Sequence, residues 1–555
     1  MGKGKVLAMY DVRGIQEYIF RTAKVKDAIG ASAIVEDIIQ EALENAVNKL
    51  GISQDADLKW CTETGVMEYR TSEKKVQVLY IGGGNAYIIC ESRELCLQMN
   101  QLMAKYTMEQ TYSLQLAAAW VYVNGNYQKD YQELLDKMAR VKENMVVSKP
   151  LGALPVMRIE VKTGYPAVRW GDPYGNEGKN TAKTGDFDIT ENNVQALGTE
   201  SLLKKKKGNK AREGIGKQIK ILDSYVTKKG VDSTIAVVHI DGNNMGLRIR
   251  EQINGLEDYE TAVNRMRSIS FAINSSYKNT FEKMKSYFNR EAGKRKEYAE
   301  KETENFVLKI LTAGDDITYV CNGKIALATV EYFCREISRH TMTGKTDAES
   351  IRKYGFSVCA GIALIGSHFP FHVGYDVAEE CCSQAKKCAK QAKYKDGDRI
   401  GNWVDFQICK NIQARDLKEM RRREYVTSHG ENLLRRPYLI STETDGIIRE
   451  QCKEGGGQLL DDFKKAILYF QDDLEEGNQL PRSFAKKLRD LYPQGAMRVN
   501  QFQVFLESRG WAMPDGSDEL YLKDEEGRMT AKWFDALEMM DDYIDLDQME
   551  EGGET

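Results

Sequence analysis

The chain has 555 residues, too many for one ordinary hydrophobic core, so two to four domains are expected. Apolar residues make up 42% and charged residues 29%, and 79 Lys plus Arg against 83 Asp plus Glu leave a net charge of −4. This is the balance of a soluble globular protein with no global signature of nucleic-acid binding, so any such surface has to be local. The start, MGKGKVLAMYDVRG, carries no apolar stretch of signal-peptide length, and no run of about 18 apolar residues predicts a membrane span. The 11 cysteines include no C-x-x-C pair, which points to free thiols in a reducing cytosol rather than disulfides or a zinc site.

In chain order, Lys5 to Asp11 reads as a strand, and residues 32–50 place apolar side chains at helical spacing. Val76 to Tyr80 and Ala86 to Cys90 flank Gly82-Gly83-Gly84-Asn85, a tight hairpin signal. A helix from Ser92 to about Tyr106 and a strand from Leu114 to Val123 complete a β-α-β-β-α-β order, the split βαβ or ferredoxin-like arrangement. The same order returns about 230 residues later. Thr234 to Ile240 is a strand ending at Asp241, followed by a long helix from about Leu256 to Phe288. Phe306 to Leu311 and Ile317 to Cys321 flank Ala313-Gly314-Asp315-Asp316. A helix over Ile325 to His340, a strand over Phe356 to Leu364 and a helix over Val377 to Lys393 follow.

Between the two units, residues 171–220 are rich in Gly, Asn, Lys and Thr and read as a mobile linker or long loop. Its run Lys204 to Lys207 reads as solvated in preference to a phosphate-tracking patch. After Asn402 the pattern is mostly helical and charged, and it ends in an acidic tail over 541–554. The expected class is therefore α+β: a first ferredoxin-like domain over 1–150, a partly flexible insert over 151–230, a second ferredoxin-like domain over 231–410, and a helical C-terminal domain over 411–555.

Three acids stand out by position. Asp241 follows an apolar strand, and Asp315 and Asp316 sit at a glycine-bearing turn between two apolar strands that neighbour it in such a sheet. Close carboxylates repel unless protonated or holding a cation, and hard oxygen donors with little else nearby suit Mg²⁺ or Mn²⁺. Two such ions about 4 Å apart lower the pKa of a ribose hydroxyl and neutralise a leaving pyrophosphate. Paired Asp at a turn also occurs for local backbone hydrogen bonding alone; Asp241 at the matching strand end favours the metal reading. The D-G-N-N-M-G stretch, Gly242, Asn243, Asn244, Met245 and Gly246, can turn backbone N–H groups toward a phosphate, and a plain turn explains it equally. Gly314 suits close approach of a nucleotide, and Lys386 on a later helix offers a point charge for a triphosphate.

These residues resemble a known family. Leu311 to Thr318, LTAGDDIT, is similar to the GGDD hairpin of the palm domain in the large polymerase-cyclase subunit of type III CRISPR effector complexes, Cmr-type, with Ala313 in place of the first glycine. DGNNMG resembles the same family's D-G-D-x-M-G segment, with Asn243 in place of the second acid. Ala378 to Lys386 resembles the A-D-x-A-L-Y-x-A-K pattern of the related GGDEF cyclases. DVRGIQEYIF (Asp11 to Phe20), Gly30-Ala31-Ser32 and the acid-free Gly82 to Asn85 turn resemble that subunit's first palm, and RRPYLI (Arg435 to Ile440) the entry to its helical C-terminal domain.

The resemblance implies two palm domains and a cyclase that condenses ATP, with GTP as the alternative, into a cyclic oligoadenylate or cyclic dinucleotide for antiviral defence. It implies Asp241, Asp315 and Asp316 as catalytic ligands of two Mg²⁺ or Mn²⁺ ions per site. Ser32, Gly82, Gly83, Gly84 and Asn85 would seat a second nucleotide, and Lys386 the triphosphate. Guide and target RNA and CRISPR effector subunits are the implied partners, without a membrane and in the cytoplasm. No His-Asp dipeptide and no four-cysteine ribbon occur, so neither the family's nuclease domain nor its zinc site is expected, which points toward a compact synthase. The competing reading is a non-catalytic RNA-binding scaffold subunit of a type III CRISPR ribonucleoprotein.

Overall fold

The computed structural model describes residues 4–21, 25–146, 152–161, 163–171, 195–211, 225–226, 232–294, 306–345, 347–397, 399–410, 416–443, 445–472, 479–524 and 526–545. Two units divide it. The first takes in Met1–Ile221, Asn244–Ser275 and Ile310–Asp315, and the second Leu222–Asn243, Ser276–Lys309 and Asp316–Thr555.

In the first unit the order is β1 (Val6–Arg13), α1 (Val25–Lys49), β2 (Val76–Gly82), β3 (Asn85–Cys90), α2 (Arg93–Thr111), β4 (Gln115–Tyr122) and α3 (Tyr127–Asn144). The sheet runs β2-β3-β1-β4, with a short strand, Ala56–Asp57, outside β2. β1 is central, antiparallel to β3 from Val6↔Cys90 and to β4 from Val6↔Tyr122, so its residues are buried almost throughout. The β2–β3 turn places Gly83 and Gly84 both at positive φ, 58° and 78°, the two-residue turn whose twist matches the flanking strands. Ser92 caps α2 by accepting from the Leu95 N–H at 3.2 Å, and Asn126 caps α3 by accepting from Lys129 at 3.1 Å.

The stretch expected as a loop contains a helix, α4 (Thr199–Ala211), and part of the lysine run is internal rather than solvated. Lys204 is fully buried; its Nζ donates to Glu200 and to the Tyr18 carbonyl, each at 2.6 Å, and lies 4.0 Å from the Tyr18 ring centroid. Arg21 also donates to Glu200 at 3.3 Å, and Lys207 pairs with Asp37 and Glu41. α1 packs so closely that a Cβ at Gly30 would overlap the Lys204 carbonyl. Composition hid this helix because lysine stems are themselves apolar cover. Lys204→Met takes its buried cation from Glu200, leaving the longer contact with Arg21, and should destabilise the first unit by about 3–5 kcal/mol, whereas Lys206→Ala, at an exposed position, should stay within about 0.5 kcal/mol. Urea unfolding of the two variants checks this, and equal midpoints would sink it.

The second sheet is built from β5 (Thr234–Gly242), β6 (Val307–Ala313), β7 (Asp316–Asn322), β8 (Val358–Gly366), β9 (Asn402–Ile408) and β10 (Tyr438–Ile440), in the order β10-β9-β8-β5-β7-β6. It is mixed: β8 runs parallel to β9, while β5–β7, β5–β8 and β9–β10 are antiparallel. After Asp241 comes a helix that was not expected, α5 (Met245–Ile253); past Asn254-Gly255 the expected long helix follows as α6 (Tyr259–Gly293). Helices α7 (Ala326–Ile337) and α8 (Phe371–Ala389) precede and follow β8.

α8 lies on the face of the sheet that carries Val237, His239 and Asp241. Two glycines set its height: a Cβ at Gly361 of β8 would overlap the Ala378 carbonyl, and one at Gly374 would lie 2.9 Å from Ile365 Cδ1. Gly361→Ala should therefore lift α8, destabilise the second unit by about 1–3 kcal/mol and lower activity. A thermal shift with unchanged activity would show that the helix height does not matter.

β9 was not expected, because after Asn402 the sequence reads as helical. The strand NWVDFQI is buried throughout, including Asp405 and Gln407. Asp405 is clamped by Arg421 Nη1 and Nη2 at 2.9 and 2.8 Å, and Gln407 donates to the Tyr425 hydroxyl at 3.0 Å. Beyond it, among the described residues, come six helices, Leu417–Glu424, Gly446–Glu454, Leu460–Gln471, Arg482–Leu491, Ala496–Arg509 and Phe534–Met539, with a small hairpin of Tyr521–Lys523 and Met529–Ala531. Arg436 joins this region to the sheet: its guanidinium stacks 4.0 Å from the Phe406 ring centroid and pairs with Glu538 at 2.8 Å and Asp535 at 3.4 Å. Of the expected acidic tail, residues 546–554 lie outside the described residues. Among the described residues no helix is long and apolar enough to cross a membrane, and all 11 cysteines are free.

Candidate active site

The register of β5 with β7 decides which side chains meet. Ile240 faces Ile317 and His239 faces Thr318, so one residue further on Asp241 faces Asp316. Directly opposed residues hold their Cβ atoms about 4.5–5.5 Å apart on one side of the sheet. Both carboxylates reach solvent, with side-chain exposures of 36% for Asp241 and 23% for Asp316. Lys386, from α8, ion-pairs with Asp241 and donates to the Gly242 carbonyl at 3.2 Å. Burial alone would lower the Lys386 pKa, but the Asp241 carboxylate outweighs it and holds the ammonium above the ordinary lysine range. Lys386 is thus ion-paired and part-buried and not a solvated helix lysine.

Around this pair lie groups that sequence reading missed. His239, two residues before Asp241, is buried on the same face, with Nδ1 3.2 Å from Thr318 Oγ1 and 3.4 Å from Asp316 Oδ1. Burial lowers its pKa and favours the neutral ring. Tyr375 meets the imidazole edge-on at 5.7 Å between centroids. On α8, burial lifts the carboxyl groups of Asp376 and Glu379 above the usual range. The period of two along β5 was the available signal for His239, and the seven-residue step from Glu379 to Lys386 was the signal for Glu379.

Other expected residues are placed differently. Asp315 is the second turn residue between β6 and β7 and belongs with the first unit, where Gly314 takes φ 67°. Gly314 lies close against Gly83 within that unit: a Cβ on it would be 3.6 Å from the Gly83 Cα. Asn243 is buried and turned away from the carboxylates, its amide donating to the Gly401 carbonyl at 3.2 Å and to Ser357 Oγ at 3.3 Å. Asn244 adopts φ 53° and caps α5, whose first residues are Met245, buried, and Gly246, with open space where a Cβ would be. In the first unit Asn85 donates to the Gly83 carbonyl at 3.3 Å, Gly82 lies beside Ser270 and Asn274, and Ser32 is buried on α1.

Among the described residues no group of three or more His, Cys, Asp and Glu side chains forms a metal cage. Two facing, part-exposed carboxylates nevertheless fit a magnesium-type ion, which takes one or two carboxylates and completes its shell with water and substrate phosphates. The ammonium of Lys386 on Asp241 shows that this spot accepts positive charge.

A carboxylate on a central strand facing another on the neighbouring hairpin, over a β-α-β-β-α-β sheet, is the layout of a palm domain. Residues 234–398 match the family model described as Cas10/Cmr2, second palm domain, and the chain carries a domain of that family. Nothing among curated proteins matches it. Among solved structures, a Csm1–Csm4 cassette in complex with pppApA is similar at 13% identity and a TM-score of 0.50, covering 98% of this chain and 70% of that one. The cassette in complex with cA4 gives 13% and 0.49 over 97% and 69%, and Csm1 of T. onnurineus gives 13% and 0.48 over the same shares. At such identity the likeness to the pppApA complex is one of fold, and it extends over nearly the whole chain.

Proposed function

We propose that the chain is a metal-dependent nucleotidyl cyclase that condenses ATP into a cyclic oligonucleotide with release of pyrophosphate, as a signal in antiviral defence. The observation that carries this reading is the register-matched pair Asp241 and Asp316 beside Lys386, inside the segment that matches the second palm domain. The pppApA in the similar Csm1–Csm4 cassette belongs to that protein and supports carrying the same substrate class to this chain.

In this reading Asp241, Asp316 and Asp315 hold two Mg²⁺ or Mn²⁺ ions. When bound, such ions lower the pKa of the attacking hydroxyl and neutralise the leaving phosphates. The ribose oxygen of one nucleotide attacks the α-phosphorus of another in line; the bond to the bridging oxygen breaks, pyrophosphate leaves with the electron pair, and the hydroxyl proton passes to solvent. Lys386 transfers its ammonium from Asp241 to the triphosphate. The N–H groups at the start of α5 are further phosphate donors, and Gly314 presents its backbone to a nucleotide at the hairpin. Gly82, Gly83, Gly84, Asn85 and Ser32 serve the second nucleotide. Guide and target RNA and effector subunits are its further partners. The scaffold alternative leans on the lysine-rich stretch, where Lys204 and Lys207 are committed to internal ion pairs.

The test is incubation with ATP or GTP and Mg²⁺ or Mn²⁺, with and without RNA, and mass spectrometry of the products. A cyclic product names the base and ring size, and a product only with RNA adds a sensing role. No product under any of these conditions refutes the cyclase. Lys386→Met should raise the KM for ATP roughly 10–100-fold, the value of a hydrogen bond to a charged group. An unchanged KM would remove Lys386 from the triphosphate.

A further inference from the structure

We propose that His239 is a positioning residue that orients the Asp316 carboxylate toward the bound cation; this rests on the metal-dependent reading above. Residues alternate along β5, so Val237, His239 and Asp241 share the face under α8, and Val237 shows what an ordinary core position there looks like. Burying an imidazole in place of such a side chain is unfavourable unless it finds polar partners. It finds them on the neighbouring strand: Thr318, its register partner, at 3.2 Å, and Asp316 Oδ1 at 3.4 Å. With the proton on Nδ1, the ring hydrogen-bonds Thr318 Oγ1 and sets its N–H edge 3.4 Å from Asp316 Oδ1, an approach that lacks hydrogen-bond geometry in this structure. Tyr375, from α8, sets the ring plane by its edge contact. A small turn of the carboxylate toward that N–H fixes its rotation and leaves its other oxygen for a metal, the role outer partners play around metal-bound carboxylates.

The experiment measures Mn²⁺ binding by the loss of the free-ion electron paramagnetic resonance signal, on the full chain with AMPPNP present. His239→Leu should weaken binding about 10–100-fold, while His239→Asn, whose amide nitrogen falls near the Nδ1 position, should stay within about threefold of the parent. Thermal unfolding without Mn²⁺ separates this from a structural effect, since a packing role alone would lower the midpoint and leave binding by the folded fraction intact. If His239→Leu does not fold, His239→Gln, which carries its amide beyond Nδ1, takes its place with the same expectation. Parent-like binding by the Leu or Gln variant, or equal losses in those and the Asn variant, overturns the proposal. Asp316→Asn distinguishes the layers. If it too binds Mn²⁺ as the parent does, the metal reading fails; if it alone loses binding, only the role of His239 falls.

Discussion

Replacing Asp315 and Asp316 together by alanine should lower cyclic product formation by on the order of 10³-fold or more while the fold stays intact. The size follows from what the carboxylates do. They bring no buried packing, since Asp316 is part-exposed and Asp315 sits in a turn. In the proposed function their value lies in holding cations where charge develops during the reaction. The same change removes the Asp316 charge that faces Asp241 across the sheet, so the metal-free variant should unfold about 1–3 °C higher than the parent, not lower. Product yield by mass spectrometry and a melting curve without divalent ions test the two halves. A double variant that keeps parental turnover would refute the assignment of the site.

Arg436→Met should be the most damaging single change to the second unit, by about 3–5 kcal/mol. The side chain is fully buried, faces the carboxylates of Asp535 and Glu538, and stacks on Phe406. Asp535 keeps donors from the Arg435 and Arg436 amides and the Tyr438 hydroxyl, at 3.0, 2.9 and 2.8 Å. Glu538 retains the Tyr425 hydroxyl at 2.8 Å and the exposed Lys410 ammonium at 3.4 Å, but two negative charges then share an interior without their buried cation. A chain with two units need not unfold in one step, so the readout is hydrogen exchange of β9 and Phe534–Met539 amides. Combining Arg436→Met with Asp535→Asn and Glu538→Gln should restore much of the loss. Exchange rates in the single variant equal to the parent's would show that the network is idle.

How much of this was legible beforehand depends on how far apart the partners lie. The strand before Asp241 and both glycine turns could be read because alternation and positive-φ glycines are local signals. β9 escaped because Asp405 and Gln407 break its apolar run, and their partners Arg421 and Tyr425 lie 16 and 18 residues on. α4 escaped because a lysine such as Lys204 looks solvated until Glu200 and Tyr18 are seen around it. His239 makes its contact with Thr318 across 79 residues, and only the register supplies that. For Asn243 the sequence could say that a negative charge was missing, but not that the side chain points the other way.

That orientation bears on how the site can change over evolutionary time. Asn243 gives both amide hydrogens to Ser357 and Gly401 and its backbone N–H to the Ser357 carbonyl at 2.9 Å. An aspartate in its place would set an oxygen against the Gly401 carbonyl and leave buried acceptors unmatched, at about 1–3 kcal/mol each. A single change to aspartate would therefore be selected against for stability alone, unless the strand around Gly401 shifted first. Position 243 is closed to a third strand-end acid by hydrogen bonds to Ser357 and Gly401, whatever the carboxylates of Asp241 and Asp316 hold.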